Sequence, residues 1–292
     1  MKRNIGLLIN TQKQRAIDLA NRLLAWGRTK DITFLLPPHE ASILGTQSLS
    51  DQQWHGSVDF AIVIGGDGTF LRASRYVLDS SIPLYGINVG HLGFLASGDE
   101  KNAEQEILMI LEGKHRIEER HVLKGKIWRN ESLKHTIYAL NDLVLTKGAF
   151  ARLIQIEVRV EGTFFAQLPT DGMIVATPTG STAYSLSAGG PIVPPHVPCI
   201  VLSPICAHTL YSRPVIFGRN DRISLIPKGD NRDLVLTQDG QLGYEILPSD
   251  RIEISLSHDK TIKVIMLQNK DYYDLLQEKL NWGRGITYFD KE

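Results

Sequence analysis

The chain is short of cysteine. Only Cys199 and Cys206 occur in 292 residues, and neither belongs to a CxxC pair. That excludes a disulfide framework and a structural zinc site, and fits two reduced thiols. Excess charge of either sign is missing as well, since 32 Lys and Arg face 32 Asp and Glu. No basic surface therefore offers itself to nucleic acid or membrane, and any anion has to be held by local geometry. No stretch approaches the ~18 consecutive apolar residues of a spanning helix. The apolar run after Met1-Lys2-Arg3 ends at Ile9, too short for a signal peptide, so a cytoplasmic protein is expected. The sequon Asn130-Glu131-Ser132 then has no secretory context. Two nucleotide motifs are missing too. There is no GxxxxGK[ST], and no GxGxxG follows a strand, which removes a P-loop NTPase and a conventional dinucleotide site.

What is present is an ordinary globular balance, 42% apolar and 22% charged, with enough length for two domains. Up to about Lys114 the pattern alternates strand and helix. Ile5–Ile9, Val58–Ile64 and Leu84–Asn88 are short apolar runs; Arg15–Trp26, Thr69–Leu78 and Ala103–Leu111 carry apolar residues at helical spacing. Such alternation predicts an α/β nucleotide-binding domain over 1–114 with a doubly wound, mostly parallel sheet. Residues 115–267 are β-rich: short β-branched stretches separated by turn residues, with Glu161-Gly162 as a hairpin turn and one helix near Ser181–Ala188. Asp271–Leu280 returns to helix, with Leu275, Leu276 and Leu280 along one side.

The chemistry concentrates in one loop. The strand Ala61–Ile64 runs into Gly65-Gly66-Asp67-Gly68-Thr69 and then into a helix. Three glycines in four residues allow positive φ and close approach to a ligand. The helix that follows offers unpaired N–H groups and the positive end of its dipole to a phosphate. Asp67 is unusual in such a place. A carboxylate repels phosphate, so it needs a second role, either taking a proton from a hydroxyl or holding a metal that phosphate shares. A plain glycine turn in which Asp67 caps the helix fits this loop equally well when it is read alone.

Other segments are polar where a core segment would not be. Thr177–Ser187 holds seven hydroxyls in eleven residues, shaped by Pro178 and Gly180, with Ser181 as a helix cap. Its side chains could bond a sugar or an amide, or serve only as caps. Asn141-Asp142 interrupts the otherwise apolar strand Tyr138–Leu145; a ribose or a solvated strand edge would satisfy the pair. A second glycine-spaced segment, Gly86–Leu95, reads as a tight connection packed under the neighbouring loop.

Taken together, these segments resemble the NAD kinase family along the whole chain. The resemblance runs through GGDGTFLRA at Gly65–Ala73, NVGHLGFLA at Asn88–Ala96, ALND at Ala139–Asp142 and DG at Asp171–Gly172. It continues in TPTGSTAYSLSAGGPI at Thr177–Ile192, AHTLYSRP at Ala207–Pro214 and DGQ at Asp239–Gln241. It implies that the β-rich part is sandwich-like, that segment 268–292 docks back on the first domain, and that the NAD site lies between domains near a neighbouring subunit. It implies a homo-oligomer, a tetramer or a dimer, converting ATP and NAD to ADP and NADP with a divalent cation, Mg²⁺. Residue by residue, Asp67 is implied as the proton acceptor for the ribose 2′-hydroxyl, with Gly68 and Arg72 along the nucleotide loop. Asn141 and Asp142 are implied to hold the adenosine ribose. Arg152, Asp171, Thr182, Ala183, Tyr184, Ser185, Leu186, Ser187 and Gln241 are implied to contact the rest of NAD. No residue is assigned to a protein-built metal site. Leu168-Pro169-Thr170 departs from relatives that carry arginine or glycine just before the Asp-Gly pair. A lipid kinase sharing the GGDGT loop, and a non-catalytic NADP-sensing module, are the competing functions.

Overall fold

The computed structural model describes residues 3–90, 93–148, 153–229, 233–248, 250–267 and 271–280. The chain forms two compact units, residues 1–118 with 263–292, and residues 119–262. The first alternates β1 (Asn4–Ile9), α1 (Gln14–Thr29), β2 (Thr33–Leu35), α2 (Pro38–Leu44), α3 (Asp51–Ser57), β3 (Phe60–Gly65), α4 (Asp67–Val77), β4 (Leu84–Asn88), β5 (Gly98–Asp99) and α5 (Ala103–Leu111). A long strand, β6 (His115–Arg129), carries the chain into the second unit. There follow β7 (Ser132–Ala139), β8 (Asp142–Lys147), β9 (Ile154–Val160), β10 (Thr163–Thr170), β11 (Gly172–Ala176) and the one-turn α6 (Tyr184–Ser187). Next come β12 (Cys199–Ile205), β13 (Val215–Gly218), β14 (Ile223–Lys228), β15 (Leu234–Gln238) and β16 (Leu242–Ile246). The equally long β17 (Arg251–Leu267) returns the chain to the first unit, where α7 (Tyr272–Leu280) follows. Both unit boundaries fall inside single strands, β6 and β17.

In the first unit the strands pair in parallel in the order β2-β1-β3-β4-β17. The chain winds outward from β1 in one direction and restarts at β3 in the other, which is the doubly wound arrangement. β3 is buried at every residue. A strand covered on both faces cannot alternate, and this is why it reads as one apolar run. α1 buries Ala16, Leu19, Ala20 and Leu23, a stripe at helical spacing, against Ile5, Leu7 and Ile9 of β1 and Ile62 and Ile64 of β3.

The strands of the second unit pair antiparallel. One sheet runs β13-β12-β11-β8-β15-β16; β10, β9, β14 and the first part of β17 form another. Leu143, Leu145, Met173, Val175 and Leu236 from the first share one core with Ile156, Val158, Ile223, Leu225 and Ile254 from the second. Two sheets face to face over a common apolar layer make a sandwich. Glu161-Gly162, with φ of 49° and 79°, is the two-residue hairpin between β9 and β10. Asn130-Glu131, at 49° and 59°, does the same between β6 and β7.

Two expectations change. The apolar stretch Tyr138–Leu145 is not one strand: β7 ends at Ala139 and β8 begins at Asp142. β7 pairs with β6 and β8 pairs with β11 and β15, so Leu140-Asn141 is where the chain crosses from one sheet to the other. The helix near Ser181 divides into a 3-10 turn over Thr179–Thr182 and the short α6.

Candidate active site

The first unit gathers its candidate residues at the carboxyl ends of β1, β3 and β4. Asn10 donates its N–H to Ile64 O (2.8 Å), and Val89 donates to Gly65 O (3.0 Å), so the chain leaving β1 and β4 is stitched to the end of β3. The reversal of winding lies between β1 and β3, where open α/β sheets open a crevice for ligands. Gly65 and Gly66 stand there, and α4 starts at Asp67. None of Gly65, Gly66 and Gly68 has positive φ, contrary to the conformational reading of the loop. The reasons are spatial. A Cβ on Gly65 would overlap the Thr69 side chain, whereas a Cβ on Gly66 would meet nothing within 4 Å. Gly68 is exposed in the first turn.

Asp67 does not cap its own helix; Gly66 occupies that position. Its carboxylate is turned instead into the segment after β4, where it accepts N–H bonds from Phe94 (Oδ2, 2.9 Å), Leu95 (Oδ1, 3.0 Å) and Ala96 (Oδ1, 3.4 Å). A Cβ at Gly93 would overlap Oδ1. Three consecutive amides thus form a concave anion seat that holds the carboxylate. With Oδ1 accepting twice and Oδ2 once, Oδ2 keeps an acceptor position for a further donor. Arg72, one turn further along α4, bonds Ile9 O (2.7 Å) and the buried Glu40 (2.9 Å), with its side chain 42% exposed. Lys13, following β1, reaches towards Gly90, following β4: a Cβ there would lie 3.6 Å from its Nζ.

The second unit presents a similar seat. Asp239, in the turn after β15 with φ 49°, accepts N–H bonds from Leu140 (3.2 Å), Asn141 (2.7 Å) and Asp142 (3.2 Å). This fixes the sheet-crossing segment. From its other side, Thr177 donates Oγ1 to Leu140 O (2.6 Å) and its N–H to Asn141 O (2.9 Å). Gly180 packs so closely on Asn141 O that a Cβ would overlap it. With the backbone held, Asn141 Oδ1 and Thr179 Oγ1 are buried without a hydrogen-bond partner among the described residues. Unmatched buried polar atoms of this kind suit a polar ligand. Asp142 is buried beside Asp239; burial first, and then the Asp239 charge, push its carboxyl up to about 7.

Much of the hydroxyl-rich segment proves structural. Ser181 donates to Pro178 O (2.6 Å) and accepts from Val193 N (2.9 Å), so it is a loop tie and not a helix cap. Ser185 pairs with Ser203 (2.9 Å), both fully buried. Thr182, Ala183 and Leu186 are half-buried, and Tyr184 and Ser187 are exposed and open to a ligand. Asp171 forms an ion pair with Lys147 (2.7 Å). Pro169 lies in β10, and its carbonyl accepts the His208 N–H (2.8 Å). Gln241 is exposed in the same turn as Asp239. Arg152 lies outside the described residues. Sequence reasoning named Asp239 within the DGQ segment but gave it no role, and it did not single out Lys13.

The chain is similar to known proteins along its length. Residues 5–115 match the family described as ATP-NAD kinase N-terminal domain, and residues 140–267 match the ATP-NAD kinase C-terminal domain. An NAD kinase of Natranaerobius thermophilus is 36% identical over 97% of this chain and 100% of its own length. One from Moorella thermoacetica is 37% identical over 96% of the chain and 89% of its own. Among solved structures, yeast NADH kinase complexed with NADH superposes with a TM-score of 0.87 at 23% identity, covering 99% of this chain and 89% of that one. An NAD kinase from Archaeoglobus fulgidus in complex with ATP gives 0.74 at 24%, covering 95% and 98%. At those identities the two structures speak for the fold.

Proposed function

The chain belongs to the NAD kinase family, and from that membership we propose that it transfers the γ-phosphate of ATP to the 2′-hydroxyl of the adenosine ribose of NAD. The products are ADP and NADP. The observation that carries this reading is the seating of Asp67: a carboxylate at the phosphate-binding end of α4, held by three amides, with Oδ2 able to accept one more hydrogen bond. As the 2′-oxygen bonds to the γ-phosphorus and the bond to the β–γ bridging oxygen breaks, the hydroxyl proton passes to Oδ2. ADP leaves with the bridging oxygen.

Gly66, Gly68 and the first N–H groups of α4 receive the ATP phosphates, with Arg72 at the margin of the loop. Asn141, Asp142 and Thr179 receive the ribose, and the exposed Tyr184 and Ser187 extend that surface towards the rest of NAD. Among the described residues no group of three or more His, Cys, Asp or Glu could hold a metal. We take the divalent cation, Mg²⁺, as part of the substrate, chelated by the ATP phosphates, where it neutralises charge. Whole-length similarity to enzymes named NAD kinase does not favour a lipid kinase or a non-catalytic sensor. We take the enzyme to be cytoplasmic, in keeping with free thiols at Cys199 and Cys206 and no described helix long and apolar enough to cross a membrane. We also take it to assemble as a homodimer or homotetramer.

Asp67→Asn tests the chemistry. Loss of the proton acceptor is expected to lower kcat by about 10²–10⁴-fold while NAD affinity stays near that of the parent. Turnover close to the parent's, with NAD binding intact, overturns the assignment of Asp67.

A further inference from the structure

We propose that Glu106 is a positioning residue for Asp67, acting through the short segment that joins the Asp67 seat to β5. This rests on the reading of Asp67 as the proton acceptor. Glu106 lies in the first turn of α5 and is 6% exposed. A carboxylate there is ordinarily explained by the helix dipole or by capping of its own helix. Glu106 does something else. Its Oε2 reaches back before the helix to accept the N–H of Asp99 in β5, at 3.0 Å. Tyr85 of β4 brings its buried hydroxyl to the same place: a Cβ on Gly98 would lie 2.8 Å from that hydroxyl, 2.9 Å from Gly86 O and 3.0 Å from Glu106 Oε2. Burial, followed by the charge of Glu106, pushes the Tyr85 hydroxyl well above the ordinary tyrosine range, so it stays protonated beside the carboxylate.

The Asp99 N–H held by Glu106 comes three residues after the Ala96 N–H held by Asp67. Ala96 itself lies against β4, where a Cβ on Gly86 would be 2.7 Å from its Cα. β5 pairs with β4 in parallel, Gly98 opposite Ile87 and Asp99 opposite Asn88. Little slack is left between the two anchors. When the Glu106 anchor is withdrawn, the Asp99 N–H loses its partner and the end of the seat comes loose. The carboxylate of Asp67 then follows the amides that orient it.

A double-mutant cycle with Asp67→Asn tests this on the whole enzyme, with the unfolding midpoint and the exchange of the Phe94–Ala96 amides measured alongside. Glu106→Ala is expected to lower kcat by about tenfold to a hundredfold, as a misplacement near 1 Å does, with KM for ATP and NAD almost unchanged. Glu106→Gln, which keeps an acceptor for the Asp99 N–H, should restore most of the rate. In the Asp67→Asn background the same alanine should cost little further kcat, because the group it positions is gone. An equal loss in both backgrounds, or no loss in the parent, overturns the proposal. If the alanine variant does not fold, Glu106→Asp withdraws the carboxylate by one methylene and carries the same two expectations. The Asp67→Asn single variant reports separately on the base assignment. Should it remain active, faster exchange of the three amides in the Glu106 variants would still reveal the anchor, but Asp67 would no longer be the group it serves.

Discussion

Asp67 and Asp239 are seated in the same way, each accepting three consecutive backbone N–H groups from a segment far away in sequence. The consequences differ with the neighbours. Asp67 keeps an acceptor position, whereas Asp239 places its charge beside buried Asp142. An unfolded chain gives Asp142 its ordinary carboxyl value of 3.8; the folded chain raises it to about 7. The folded state therefore binds this proton more tightly. The stability so contributed is complete below 3.8 and is lost as pH rises through about 7. Asp142→Asn never ionises. It should be more stable than the parent at pH 8, by an amount on the order of a few kcal/mol at most, and the advantage should shrink steadily towards pH 4. Urea unfolding of both proteins across that range measures it. A constant difference at every pH would mean that the carboxyl does not titrate as described.

At the scale of elements, the strand–loop–helix unit around Gly65-Gly66 shows what its glycines are for. Gly65 has no room for a side chain because Thr69 fills the space, and Gly66 has room but faces the proposed phosphates. The two alanine variants should therefore separate. Gly65→Ala overpacks the strand–helix junction and should cost about 1–3 kcal/mol of stability. Gly66→Ala sits at φ −126°, which alanine adopts freely, so its unfolding midpoint should stay close to the parent's. Its KM for ATP should nonetheless rise about tenfold, the loss expected when one charge-assisted phosphate contact is blocked. Thermal unfolding and ATP saturation curves decide it; equal effects in both assays for both variants would remove Gly66 from the phosphate site. This unit was legible in the sequence because a strand buried on both faces is an apolar run and the glycine cluster punctuates it. The sheet crossing at Leu140-Asn141 was not, since Asn141-Asp142 read as a polar pair inside one apolar run and not as the end of one strand and the start of the next. Both carboxylate seats were also out of reach of local pattern. Asp67 meets its amides 27 to 29 residues away and Asp239 meets its own 97 to 99 away, so only the fold brings them together.

On the scale of the whole molecule, β10 lies at the end of its strand order and its unit exposes Phe164 (58%), Phe165 (47%) and Ile216 (52%). Large apolar side chains beside an edge strand are what a self-association surface requires. If the chain assembles as proposed, Phe164→Glu with Phe165→Glu should shift sedimentation towards a smaller species; an unchanged profile would place the contact elsewhere. The division of labour between the units is open to a second measurement. Each unit has a core of its own, so a bound substrate should first protect the unit that receives it. A ligand at a hundred times its Kd adds about 2.7 kcal/mol to the state that binds it, which slows exchange through openings that release it by roughly a hundredfold. ATP with Mg²⁺ alone should slow the amides of the α4 start, Asp67 to Phe70. NAD alone should slow Leu140 to Asp142 and Thr177 to Thr182. The Phe94–Ala96 amides should be slow from the start, since Asp67 already holds them. If NAD protected only the first unit, or ATP only the second, the assignment of donor phosphates to the glycine loop and of ribose to the Asn141–Asp142 segment would have to be reversed.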